Sequence, residues 1–213
     1  MILTSSRTDS KEKEVGASKP DGKRLQAKEL IKIGVFAAIY IVVIGIAGSL
    51  AAIPVFVPLA AVLVPILGGI PMMYFLTKVK KFGMVVVLSL LVGLIMFMGG
   101  MGYFSIFTTL VFGLAAECIL KAGNYQNARN VVLAYAVQSM WIVGNFLPFV
   151  FTRDAFLAQQ EQNLGAEYAS QLSTLMPEWI VPILLVVAFL SGLVGAFIGK
   201  RLYRKHFERS GIR

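Results

Sequence analysis

Four stretches of this chain contain no Asp, Glu, Lys or Arg: Ile33–Thr77 (45 residues), Phe82–Ala116 (35), Asn130–Thr152 (23) and Trp179–Gly199 (21). A helix crosses the hydrocarbon of a bilayer in roughly 20 apolar residues, each rising about 1.5 Å. The first two stretches are each long enough for two crossings and the last two for one. The expected fold is an all-α integral membrane protein with six transmembrane helices, at about 30–53, 55–77, 83–98, 103–120, 130–151 and 178–199. The chain is 57% hydrophobic and 15% charged, against about 25% charged in a soluble domain.

Breaks between spans follow turn chemistry. Pro54 and Pro58 separate the first two, since proline disfavours helical geometry in the residue before it, and Pro65 and Pro71 are candidate kinks in the second. Gly99, Gly100 and Gly102 make a poor helix and a good turn after the third. Residues 1–28 are too polar to bury a core and read as a disordered tail. No cleavable leader is expected, because the first apolar run starts late and is long. The transmembrane domain covers 29–205 and a basic tail covers 206–213.

The net charge of +9 flanks the spans, which argues for a membrane protein and against a nucleic-acid partner. With the N-terminus inside, 19 of the 20 Lys and Arg residues fall on the cytoplasmic side and Arg153 alone falls outside. That asymmetry predicts a multi-pass protein of the cell membrane with both termini in the cytoplasm. One long segment, 152–177, is external. Its Leu157, Glu161, Leu164, Tyr168, Leu172 and Leu175 recur near helical spacing, so most of one face is apolar, and Gly165 divides it. It reads either as an interfacial helix pair resting on the bilayer or as a lid over a site in the bundle.

Chemistry is sparse at membrane depth. The single histidine, His206, lies in the C-terminal tail, and the single cysteine, Cys118, excludes an internal disulfide. No span carries paired carboxylates for acid–base catalysis, and no phosphate-binding GxxxxGK[ST] motif is present. The expectation is a protein that is not an enzyme, with no catalytic residue, no metal site and no intrinsic cofactor. Glu117 is the one charge inside a span. It reads as an interfacial residue or a partner of Lys121, one turn away, rather than as a proton relay. Gln138, Trp141 and Asn145 are spaced i, i+3, i+7 on the fifth span. They form either interhelical hydrogen bonds or the wall of an outward-facing pocket beside the Gly99–Tyr103 turn. Met98 and Met101 at that turn are gap-fillers or soft ligands. On span 1, Gly34 and Ala38, with Gly45, Gly48 and Ser49 above, form a stripe of small residues. Such a stripe packs within the bundle or docks onto another membrane subunit.

Residues 29–205 resemble the substrate-binding S components of energy-coupling factor (ECF) importers, in particular the Trep-Strep, MptD-like group. The likeness is carried by Glu29-Leu30-Ile31-Lys32-Ile33-Gly34-Val35-Phe36-Ala37-Ala38-Ile39-Tyr40, the proline-rich first hairpin, the Gly99–Gly102 turn and the long outer segment before the last span. S components carry an A-x-x-x-A motif on span 1, and Gly34 stands here at its first position. The resemblance implies capture of a micronutrient from outside, with haem or another tetrapyrrole one possibility. It implies delivery through a transmembrane coupling subunit driven by two separate ATPase subunits. The expected ligand site comprises Gln138, Trp141, Asn145, Gly99, Gly100, Met101, Tyr103 and Trp179, and the expected docking site comprises Gly34 and Ala38. Two other classes fit the same spans: a small secondary carrier or channel, and a non-transporting subunit of a membrane complex.

Overall fold

The computed structural model describes residues 25–207. The expected N-terminal tail therefore lies outside the described residues except for its last four, of which Ala27 and Lys28 already belong to the first helix. The last six residues of the basic C-terminal tail also lie outside them.

The described chain is helical, and six helices are long and apolar enough to cross a membrane. α1 (Ala27–Ser49) passes through a short 3₁₀ turn into α2 (Phe56–Lys78), and then come α3 (Met84–Met96) and α4 (Phe104–Ala122). The fifth span opens as α5 (Ala128–Ser139) and ends in α6 (Pro148–Phe151). α7 (Arg153–Leu164) and α8 (Ala166–Leu175) form a hairpin outside the spans, and α9 (Ile180–Phe207) is the last crossing. The protein is thus a six-span, multi-pass membrane protein. Six crossings bring Lys32, Lys78, Lys80, Lys81, Lys121, Arg129, Lys200 and Arg201 to one end of the bundle, called the basic end below. Arg153 and the α7–α8 hairpin stand at the opposite end.

Burial follows helical periodicity. On α1, Ile33, Ala37, Tyr40, Ile44 and Ala47 are buried along one stripe, while Ile31, Val35, Val42 and Ile46 face outward. The fifth span is the central one: 72% of its most apolar stretch is buried, against 28–39% in the other five. The most extensive helix–helix contact is between α2 and α9. It depends on glycine, because a Cβ at Gly69 would meet the backbone of Gly195, and one at Gly195 would meet the backbone of Pro65 and Ile66. Without water to squeeze out between helices, close backbone approach of this kind is a main source of cohesion in a bilayer. α2 runs through both Pro65 and Pro71 as a single helix. The Tyr135 hydroxyl donates to the Pro65 carbonyl at 2.6 Å, which ties α2 to the central span.

Glu117 neither snorkels to the helix surface nor pairs with Lys121. It is fully buried, and its carboxylate accepts the Val85 N–H at 2.8 Å and the Val86 N–H at 3.3 Å. These are among the donors that a helix N-terminus leaves without partners, so Glu117 on α4 caps α3 from outside, where negative charge is favoured. The Tyr125 hydroxyl donates to the other carboxylate oxygen at 3.3 Å. Burial, and then the adjacent Glu117 charge, push the Tyr125 phenol up to about 12, so it remains a donor at physiological pH. Lys121 instead lies over the Phe82 ring, 5.4 Å from its centroid. Glu117→Ala strands these donors, and a buried unsatisfied donor costs about 1–3 kcal/mol. The variant is expected to lose roughly 3–5 kcal/mol, read as a large drop in thermal unfolding midpoint in detergent. Glu117→Gln, which keeps an acceptor oxygen, should fall between the two. A midpoint unchanged in Glu117→Ala would refute the capping role.

Candidate functional site

The fifth span explains where a site forms. Its α-helix stops at Ser139 and tightens into a 3₁₀ helix over Met140–Asn145, then turns through Phe146 and Leu147 into α6. The uninterrupted α-helix expected over 130–151 is therefore not what the chain adopts. A 3₁₀ helix advances about 120° per residue rather than 100°, so the i, i+3, i+7 face does not hold. Gln138, still in α5, is buried against α3 and donates to the Ser89 hydroxyl at 3.2 Å, the interhelical alternative. Trp141 points toward α1 and donates to the Tyr40 hydroxyl at 3.2 Å. Asn145, a turn further on, is half-buried beside α4, where the Ser105 hydroxyl donates to its Oδ1 at 2.8 Å. Its NH₂ is the group left for a ligand.

Above Trp141, at the end opposite the basic one, lies a cavity of about 440 Å³. That is within the usual range for small-molecule sites, roughly 300–1,000 Å³. Its floor and walls are Trp141, Ile142, Asn145, Phe146 and Phe149 from the central span, Ile44, Gly45 and Gly48 from α1, and Val57, Ala60 and Val64 from α2. The turn after α3 contributes Met96, Gly99, Gly100 and Met101. Gly100 has φ 86° and Gly102 φ 78°, conformations that favour glycine. No atom stands within 4 Å of where a Cβ would sit at Gly45, Gly48, Gly99 or Gly100, so the missing side chains leave room and expose backbone.

The roof is the α7–α8 hairpin. Phe156, Gln159, Gln160, Asn163 and Leu164 come from α7, and Tyr168 and Leu172 from α8. Gly165, with φ 93°, joins the two helices. Arg153 clamps the hairpin shut: its guanidinium donates to the carbonyls of Ser173 and Met176, both at 2.7 Å, which are end-of-helix acceptors without intrahelical partners. Among the described residues, this accounts for the one basic residue on the side away from the others. The Tyr168 hydroxyl donates to the Ala51 carbonyl at 2.7 Å and pins the hairpin to the top of α1. Of the two alternatives for 152–177, the hairpin takes the position of a lid.

Of the expected site residues, Trp141, Asn145, Gly99, Gly100 and Met101 come together at the cavity. Tyr103 lines a smaller adjoining pocket, stacked on Phe104 at 4.3 Å. Gln138 and Trp179 are not brought to the cavity. Trp179 is two-thirds exposed at the start of α9, a position typical of an interfacial aromatic. Met98 is exposed, and Met96 takes the cavity-facing place beside Met101. The span 1 stripe divides. Gly45 and Gly48 face the cavity, whereas Gly34 and Ala38 are exposed on the outer surface with open space above Gly34, which removes internal packing as their role. Sequence reading missed Gln159, Gln160 and Asn163. Their spacing places them beside Phe156 on one face of α7, but that face is visible only once the hairpin is known to fold over the bundle. The charge-free lining offers carboxamides, one phenol and aromatic faces. It can hold a ligand with an apolar or planar body and polar groups that exchange hydrogen bonds with amides. Among the described residues no group of His, Cys, Asp or Glu could hold a metal ion.

A family model described as a hypothetical bacterial integral membrane protein (Trep_Strep) matches residues 27–209. The chain belongs to the Trep_Strep family. The match begins at the first residue of α1 and takes in all six spans of this Trep_Strep protein, together with the α7–α8 hairpin. No curated protein and no solved structure matches the chain.

Proposed function

We propose that this Trep_Strep protein is the substrate-binding subunit of an ECF-type importer. It captures a micronutrient, vitamin-like or a tetrapyrrole such as haem, in the cavity under the α7–α8 hairpin. The basic end faces the cytoplasm, so the cavity opens outward and both termini lie inside. A transmembrane coupling subunit docks on the Gly34–Ala38 face of α1, and two ATPase subunits supply the energy that this chain has no motif to harvest.

The observation that carries this reading is the cavity itself. It is lined by uncharged amides and aromatics at one end of the bundle and roofed by a clamped hairpin. A carrier or channel commonly sets charged groups near the midplane, whereas the buried carboxylates of the described spans, Glu29 and Glu117, stand toward the basic end. A binding subunit that hands its ligand to a partner needs such a pocket.

Haem and a panel of vitamins, titrated against the purified protein, test the site through tryptophan fluorescence. Trp141 forms the cavity wall and Trp179 stands away from it. The bound ligand is expected to quench wild type and Trp179→Phe alike and to lose the Trp141 component in Trp141→Phe. Asn145→Ala removes one ligand hydrogen bond and should weaken binding about tenfold, the equivalent of about 1–2 kcal/mol. Gly48→Phe, built into open cavity space, should weaken it further without loss of folded protein. Unchanged affinity in both variants would place the ligand elsewhere.

A further inference from the structure

A second site lies on the outside of the bundle, between α1 and α2. Phe36, Ile39, Val43 and Ile46 from α1 face Leu67, Ile70, Pro71 and Tyr74 from α2 across an open groove of about 500 Å³. Hydrocarbon and aromatic rings line it throughout. On α1 the lining recurs at i, i+3, i+7 and i+10, a single stripe. Continued one turn toward the basic end, this stripe reaches Lys32. The α2 stripe continued one turn past Tyr74 reaches Lys78. The helices run antiparallel, and the Phe36 and Tyr74 rings meet across the groove with centroids 5.3 Å apart. Both lysines therefore stand one turn, about 5.4 Å, beyond the same aromatic pair. Lys78 Nζ lies over the Tyr74 ring, 5.2 Å from its centroid, which holds one ammonium at the groove's mouth. Glu29, the carboxylate nearest on α1, is engaged by the Gln26 N–H at 2.8 Å and by Lys81 at 3.6 Å. Among the described residues it leaves Lys32 and Lys78 without an anionic partner.

The dimensions identify the occupant. From Phe36 to Ile46 the groove runs about 15 Å along α1 at 1.5 Å per residue, half the roughly 30 Å hydrocarbon thickness of a bilayer. A channel of acyl chain chemistry, one leaflet deep and closed at the headgroup level by two ammonium groups, matches a phospholipid with an anionic head. We propose that the α1–α2 groove binds one anionic phospholipid, an acyl chain lying between Phe36 and Ile46 and its phosphate held by Lys32 and Lys78. A second copy of the chain fits less well. A two-fold pairing of parallel copies through this face would set the four lysines against one another at one level. The Gly34–Ala38 face lies on a different side of α1, so lipid and coupling subunit do not compete for it.

The full-length protein, purified in mild detergent, is titrated with phosphatidylglycerol and with phosphatidylcholine of the same acyl chains and read by native mass spectrometry. One phosphatidylglycerol should be retained with a preference of about tenfold or more over phosphatidylcholine. Lys32→Gln with Lys78→Gln should abolish that preference, whereas Lys200→Gln with Arg201→Gln, which removes equal charge from the same end, should leave it. Ile70→Trp, directed into the groove from a surface position, should lower retention of both lipids. Equal retention of the two lipids by wild type, or equal effects of the two double variants, would overturn the site as general surface charge. A change in oligomeric state in Ile70→Trp with lipid retention intact would overturn it in favour of a second copy.

Discussion

If the proposed importer is the right assembly, Gly34→Leu and Ala38→Leu are expected to lower its uptake by roughly 100-fold, while the isolated protein keeps whatever ligand affinity the wild type has. Both positions are exposed on the outer face of α1, and no atom lies within 4 Å of a Cβ built at Gly34. Added bulk therefore disturbs nothing within this chain. A partner helix that packs on a small-residue stripe approaches to backbone distance, and a leucine there forces the two apart. A loss of roughly 100-fold corresponds to about 2.8 kcal/mol, in the upper part of the range of about 1–3 kcal/mol that overpacking costs per site. The measurement is paired: uptake in cells, and ligand titration of each purified variant. Normal uptake in both variants would remove α1 as the docking helix. Loss of ligand binding together with uptake would assign the stripe to the fold.

Gly195→Leu should have the opposite signature and the larger structural effect. The same residue type sits here where α9 crosses α2, and a Cβ would run into the Pro65 carbonyl and the backbone of Ile66. Backbone within two helices cannot move aside as a side-chain end can. The leucine therefore separates the most extensive helix pair in the bundle. We expect no monodisperse folded protein from Gly195→Leu or Gly69→Leu, judged by size exclusion in detergent. By contrast Gly34→Leu should elute as wild type. A folded, ligand-binding Gly195→Leu protein would show that the α2–α9 crossing does not hold the bundle together.

The contrast marks what a sequence can convey. Six spans were legible because charge-free runs of 21 to 45 residues have one main use in a folded protein; the expected ends agree with the helices to within about four residues, except that α9 continues to Phe207, well past the expected end at Gly199. The Gly99–Gly102 turn was legible because two of its glycines need positive φ. Glycine stripes were visible on α1 as a pattern, but the pattern does not say which side faces a neighbour. Only the fold divides Gly34, which looks outward, from Gly48, which looks into the cavity. Glu117 was misread for a related reason: its sequence neighbour Lys121 was in view, while its true partners, the Val85 and Val86 amides, lie about thirty residues away on another helix. Gln138 and Asn145 parted because the central span changes from α to 3₁₀ at Ser139, and nothing in Ser139-Met140-Trp141 announces that change. The lid amides on α7 acquire meaning only once Arg153 and Tyr168 have fastened the hairpin over the bundle.

A ligand-binding subunit of the kind proposed hands its cargo to a separate energised module. Purification of the tagged, full-length protein in mild detergent from its own cells, with mass analysis of the proteins and small molecules that accompany it, tests this. A complex with one transmembrane coupling protein and two ATPase chains is expected, and a small molecule released on denaturation. In Gly34→Leu the small molecule should persist and the protein partners should be lost. In Gly48→Phe the small molecule should be lost. A protein that purifies with neither ATPase chains nor a small molecule, in wild type as in both variants, would contradict it.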